Sequence, residues 1–223
     1  MNRFVYLLCT LSICLMASMS CQAQAGGAIH LNYTSPLDEY DDNLVKDPVG
    51  FTLKVFYALP KAKAWVVGVE AGVAMYANDS YMTALENGKT IEIDEEDCFV
   101  TYNATIRRYL LTDKRINPYG EMIVGGVSFF STRYAAESKY EDDYDDNTTF
   151  HGTAFNLGFG GGLSVNLSDN VMLDFGAIYN RGTRTHYRSI EPGEGAQVMP
   201  LDYGRKESYV NSITFKAGVQ FGF

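Results

Sequence analysis

The residues closest to a catalytic set lie in the stretch RGTRTHYRSIEPGEG, where Arg181, Arg184, His186, Arg188, Ser189 and Glu191 cluster. Ser, His and an acid are the side chains of acyl transfer: the hydroxyl attacks a carbonyl carbon, the imidazole takes its proton, and the carboxylate orients the imidazole. The composition is present, but the chemistry also requires mutual hydrogen-bond reach, which proximity on one loop does not ensure. His151, two residues before Thr153, offers a second pairing, with Thr where a nucleophilic Ser is wanted. The expectation is that no residue is catalytic and that this basic loop docks its arginines on acidic loops such as 137–146 or on lipid phosphates.

Two other stretches resemble ligand sites and fail on spacing. In KYEDDYDDN, residues 139–147, Asp143, Asp145 and Asn147 fit the first three positions of a calcium loop. Thr148 then stands where the glycine turn is needed and Ala154 where the bidentate Glu belongs, which leaves a solvated acidic loop able to bridge through divalent ions to lipopolysaccharide. LGFGGGL, with glycines at 158 and 160–162, has no following Lys-Ser/Thr and no helix, so strand packing explains it better than phosphate binding. No metal and no cofactor is expected.

The chain opens with Asn2 and Arg3 after Met1, continues through an apolar run from Phe4 to Met16, and reaches small and polar residues ending in Ala23-Gln24-Ala25. That is the layout of a secretory leader, so residues 1–25 are read as a signal peptide and 26–223 as a single domain. Cys21 keeps a lipoprotein alternative open, although a lipobox wants Leu three positions earlier, where Ser18 stands. Cleavage removes three of the four cysteines and leaves Cys98 without a partner. Loss of Arg3 takes the net charge from −9 to −10, which argues against nucleic acid as a partner.

Beyond the leader, short runs rich in Val, Phe, Tyr and Thr alternate with period two, and no sustained helical period occurs. Strands are expected near 28–34, 50–59, 64–76, 98–110, 117–131, 150–167, 170–181 and 208–223. Tight links at 60–63, 111–115 and 168–169 alternate strictly with long polar ones at 35–49, 77–97, 132–149 and 182–207. Short turns on one side and long loops on the other are the pattern of an all-β, eight-stranded antiparallel up-and-down transmembrane barrel.

In the last strand, Ile213, Phe215, Ala217, Val219, Phe221 and Phe223 alternate with Ser212, Thr214, Lys216, Gly218, Gln220 and Gly222. A soluble lipocalin-like barrel would show the same alternation inside out. Three features favour the membrane: aromatics at the ends of the apolar rows, the Gly, Ser and Asn content of the other face, and the loop alternation itself. The polar face then becomes a lumen holding His30, Lys54, Glu70, Arg107, Asp174 and Lys216, together with Glu121. A turn centred near Lys114 sets Arg107 opposite Glu121, turns Ile123 and Val127 inward, and turns Met122 and Val124 outward. Mixed charges in so narrow an interior favour a plug over a channel.

The leader, the eight runs, the loop alternation, FNLGFGGGLSVNLSDNVMLDFGAIY and the terminal FKAGVQFGF together resemble the bacterial outer membrane protein beta-barrel domain family, the OmpA/OmpX-like "porin family" small barrels. The resemblance covers the mature chain and is one of architecture. It implies residence in the Gram-negative outer membrane, contact with lipid and lipopolysaccharide, and no shared catalytic residues. It also implies that Val219, Phe221 and Phe223 form the terminal signal read by the barrel-assembly machinery. The expected role is structural, or is carried by surface loops that meet a ligand. A lipid A deacylase or acyltransferase and a small-solute channel stand as alternatives.

Overall fold

Branched and aromatic side chains pack well on a pleated surface, and alternating them with small polar ones gives each strand one apolar and one polar face. The computed structural model describes residues 25–44, 47–59, 64–84, 90–111, 114–136, 145–188 and 205–222. Its strands are β1 Ala25–Pro36, β2 Val49–Ala58, β3 Trp65–Ala84, β4 Thr90–Tyr109, β5 Ile116–Ala136, β6 Asp145–Ser168, β7 Val171–Gly182, β8 Arg184–Arg188, β9 Arg205–Tyr209 and β10 Ser212–Phe221. One short helix, α1, spans Glu39–Asn43 between β1 and β2. Eight strands close in the order β1-β10-β7-β6-β5-β4-β3-β2, and β8 and β9 form a separate two-stranded sheet. Closure sets β10 antiparallel to β1, with Phe215 opposite Tyr33 and Phe221 opposite Gly27, so the barrel has no free edge along that seam.

The apolar row faces outward. Leu31 is 70% exposed while its neighbour His30 is 1% exposed, a polarity that excludes the lipocalin arrangement. On β5, Ile123 and Val127 are buried while Met122 and Val124 are exposed, and Arg107 lies opposite Glu121. Outer aromatics pair near the rim of the apolar band, with Tyr33 and Phe215 centroids 6.2 Å apart and those of Phe159 and Tyr179 5.5 Å apart.

Three expected loops contain more strand than their polarity suggested. β3 and β4 stay paired as far as Ala84 opposite Thr90, and β5 and β6 as far as Ala135 opposite Asp145. β2 ends at Val49 opposite Met75 and β7 at Gly182 opposite Asn156, so β3–β6 project beyond their neighbours as a four-stranded sheet. On this projection charge alternates between the faces: Asp94 is exposed, whereas Glu95 and Asp97 are buried. A strand tolerates carboxylates on a face turned to water or paired inside, so acidity alone was a poor sign of a loop. The segment 182–207 includes the β8–β9 hairpin, in which Tyr209 pairs with Arg184, so the last barrel strand begins at Ser212 and not at 208. The links 60–63 and 112–113, most of the acidic stretch 139–147, and Phe223 lie outside the described residues.

The glycines of β6 and β7 make room in the lumen. A Cβ on Gly162 would lie 2.0 Å from the Phe175 carbonyl and 2.6 Å from the Tyr119 hydroxyl. One on Gly176 would also lie 2.6 Å from that hydroxyl. The bare backbone is what lets the Tyr119 ring lie across β6 and reach β7.

Candidate functional site

The lumen is filled in two storeys. The storey nearer the short turns is an ion-pair network built by inward positions of six strands, β1–β5 and β7, with β10 closing it. Arg107 on β4 is its hub: Nε donates to Glu121 Oε2 at 2.5 Å, and Nη1 and Nη2 donate to Asp174 Oδ1 and Oδ2, each at 3.0 Å. The guanidinium carbon lies 3.7 Å from the centroid of the Tyr119 ring, a cation–π contact made possible by the glycine gap. Asp174 also accepts from Ser164 Oγ at 2.7 Å and meets His30 Nε2 at 2.9 Å.

Lys54 and Glu70 are register partners on β2 and β3, yet each bonds elsewhere. Lys54 Nζ donates to Glu121 Oε1 at 2.7 Å, while Lys216 Nζ reaches the two Glu70 oxygens at 2.8 and 2.9 Å. Asn103 Nδ2 donates to Glu70 at 3.2 Å. Three cations therefore meet three carboxylates, all with under a tenth of their surface exposed. Such groups are tolerated in a lumen only when paired and hydrogen-bonded as they are here.

The storey nearer the long loops is aromatic. Tyr40 from α1, Tyr76 from β3, Phe99 from β4, Phe129 from β5 and Tyr187 from β8 are all buried in one cluster. Tyr40 meets Tyr187 edge-on at 5.3 Å and Phe129 at 6.3 Å. Burial holds the Tyr40 phenol well above its ordinary pKa, so the ring stays neutral. Tyr40 and Tyr187 escaped the sequence reading because both come from segments with no strand period. Phe129 was hidden in a strand apolar on both faces.

Above the aromatics, Arg188 is buried against Glu95 and Asp97, the latter 3.7 Å from Nη1. The basic segment thus docks Arg188 on acids of β4. Ser131 Oγ bonds to Asp97 and lies 2.6 Å from His151 Nε2. Thr153 shares a hydrogen bond with Ser128 at 2.8 Å. His186 is exposed on β8 opposite Glu207, and its proposed companions Ser189 and Glu191 lie outside the described residues. Among the described residues, no group of three or more His, Cys, Asp or Glu side chains is arranged to hold a metal ion.

Neisserial surface protein A has a similar fold, with a TM-score of 0.50 at 14% identity, covering 89% of this chain and 96% of that one. Ail of Yersinia pestis, solved with the heparin analogue sucrose octasulfate, aligns at 17% identity and a TM-score of 0.46 over 91% of this chain and 99% of that one. OprG of Pseudomonas aeruginosa aligns at 15% identity and a TM-score of 0.36 over 90% of this chain and 97% of that one. No curated protein matches the sequence. The family described as outer membrane protein beta-barrel domain matches residues 6–223, nearly the whole length, and the chain belongs to that family.

Proposed function

We propose that this protein is a closed outer-membrane anchor whose work is done at the cell surface by its long-loop end. The observation that carries this reading is the contrast between the two ends of one barrel. The lumen is filled by the Arg107 network and again by the Tyr40 cluster, while β3–β6 continue outward as a sheet with Asp94 exposed. A filled eight-stranded interior suits a wall and not a conduit. In this reading the leader 1–25 is removed on export from a Gram-negative cytoplasm, leaving β1 to start near Gly26. Val219, Phe221 and Phe223 serve the barrel-assembly machinery. The projecting sheet and acidic loops meet lipopolysaccharide through divalent ions, or a surface ligand, with no nucleic acid involved.

The role is tested by pairing surface proteolysis of intact cells with a lipid A profile of a deletion strain. Cleavage confined to the long-loop segments with an unchanged lipid A profile is expected. A lipid A species that changes on deletion, and again on His186→Ala, would replace this reading with outer-leaflet enzymology. Stepwise conductance in planar bilayers that shifts when Lys216 or Glu70 is neutralised would replace it with a channel.

A further inference from the structure

Between the two storeys lies a chamber of about 50 Å³, lined by Asn32, Asn103, Asn180, Ser212 and Tyr40 among others, with Glu70 and Lys216 in its wall. Four of its polar atoms have no protein partner: Oδ1 of Asn32, Asn103 and Asn180, and the Tyr40 hydroxyl. Asn103, Asn180 and Tyr40 are each more than nine-tenths buried. Buried oxygens without donors are costly, and a space of this size bordered by such oxygens holds about three to five water molecules, at roughly 10–15 Å³ apiece.

On the long-loop side Tyr40 is part of the chamber lining, and it comes from α1, which is not part of the hydrogen-bonded ladder of the barrel. α1 is five residues long and is entered through Asp38 at φ 57° and ψ −139°, a conformation that side chains other than glycine rarely adopt. Apart from the Tyr40 ring and Leu44, which pack in the aromatic cluster, its ties include polar, partly exposed contacts: Leu37 N–H to Asn211 O at 2.9 Å, Asn211 Nδ2 to Asp38 at 3.2 Å, and Arg184 to Glu39 at 3.8 Å. The chamber walls, by contrast, lie in continuous ladders. A short strained segment with few exposed bonds opens at lower free energy than a ladder does.

We propose that the chamber is a water-filled vestibule and that Tyr40 is its movable stopper. When residues 37–44 lift, the vestibule opens to the long-loop side, while the Arg107 network below stays paired and the barrel stays shut. The inference goes beyond the anchoring role, because a vestibule can open whether or not the projecting sheet binds anything.

The test is thiol accessibility at Ser212→Cys, a near-isosteric reporter in the chamber wall. The full chain is reconstituted in lipid and treated with a small hydrophilic methanethiosulfonate, and modification is read by mass spectrometry on the peptide holding residue 212. Adding Tyr40→Ala is expected to speed labelling about tenfold or more, because labelling follows the open population. Tyr40→Phe, which keeps the ring, is expected to label at the parental rate. Gel mobility before and after boiling verifies that each variant is folded. Equal rates for folded Tyr40→Ala and parent would overturn the stopper. Hydration is read separately in the unsubstituted protein by magnetisation transfer from water to the Asn103 and Asn180 side-chain amides. Transfer is expected, and its absence at both would overturn the vestibule.

Discussion

Arg107 and Asp174 meet across the lumen through two parallel N–H···O bonds of 3.0 Å each, from strands β4 and β7 that are not neighbours in the barrel. The pair ties opposite walls together as well as neutralising charge, because a fork of two bonds fixes direction as well as distance.

Arg107→Met should therefore cost about 3–5 kcal/mol, because it strands Asp174 and part of Glu121 without their shared cation. Arg107→Lys should recover only part of that loss, since an ammonium cannot make the fork. Urea unfolding of the protein in lipid, followed by the gel-mobility shift, measures both. Equal stability of Arg107→Lys and the parent would show that the two-bond geometry contributes nothing.

The Glu70–Lys216 pair calls for a double-mutant cycle, because both groups are buried and Lys216 Nζ makes two bonds of 2.8 and 2.9 Å. Glu70→Met and Lys216→Met should each destabilise by about 3 kcal/mol, while the double substitution should cost clearly less than their sum. Additive losses would mean that the two charges are not coupled.

Gly162→Val should block assembly. Its Cβ would lie 2.0 Å from the Phe175 carbonyl, which is backbone and cannot swing away, and 2.6 Å from the Tyr119 hydroxyl. The expected result is loss of the fast-migrating unboiled form. Gly120→Ala is the control, since the nearest atom to its Cβ would be 3.9 Å away, and it should fold normally.

Phe221→Ala separates assembly from stability. The side chain is 47% exposed on the outer face, so its loss should lower equilibrium stability of the refolded barrel by no more than about 2 kcal/mol. If the terminal aromatics serve the assembly machinery, membrane insertion in cells should fall much further than that stability change accounts for. Pulse-chase measurement of the folded fraction tests this, and matched losses in cells and in purified lipid would remove the signalling role.

The sequence by itself determined the eight-stranded barrel, its outward apolar rows, its seam between the first and last strands, and the inward charges of the storey nearer the short turns. The physical reason is that a membrane wall needs one apolar side per strand and no open edge, and period-two alternation records both residue by residue. Polarity also misled, because acids such as Glu95 and Asp97, here paired inside with Arg188, read in sequence like a solvated loop. Apart from Arg107 and Glu121, which the hairpin register sets opposite each other, only the tertiary structure decided who bonds to whom. Lys54 passes over its register partner Glu70 to reach Glu121, and Lys216 reaches Glu70 instead, because partners across a lumen depend on barrel curvature and strand stagger, which no single strand encodes. The same holds for Tyr40 and Tyr187, which become the upper filling only once α1 and β8 fold over the barrel mouth and bring residues 147 positions apart in the sequence to 5.3 Å.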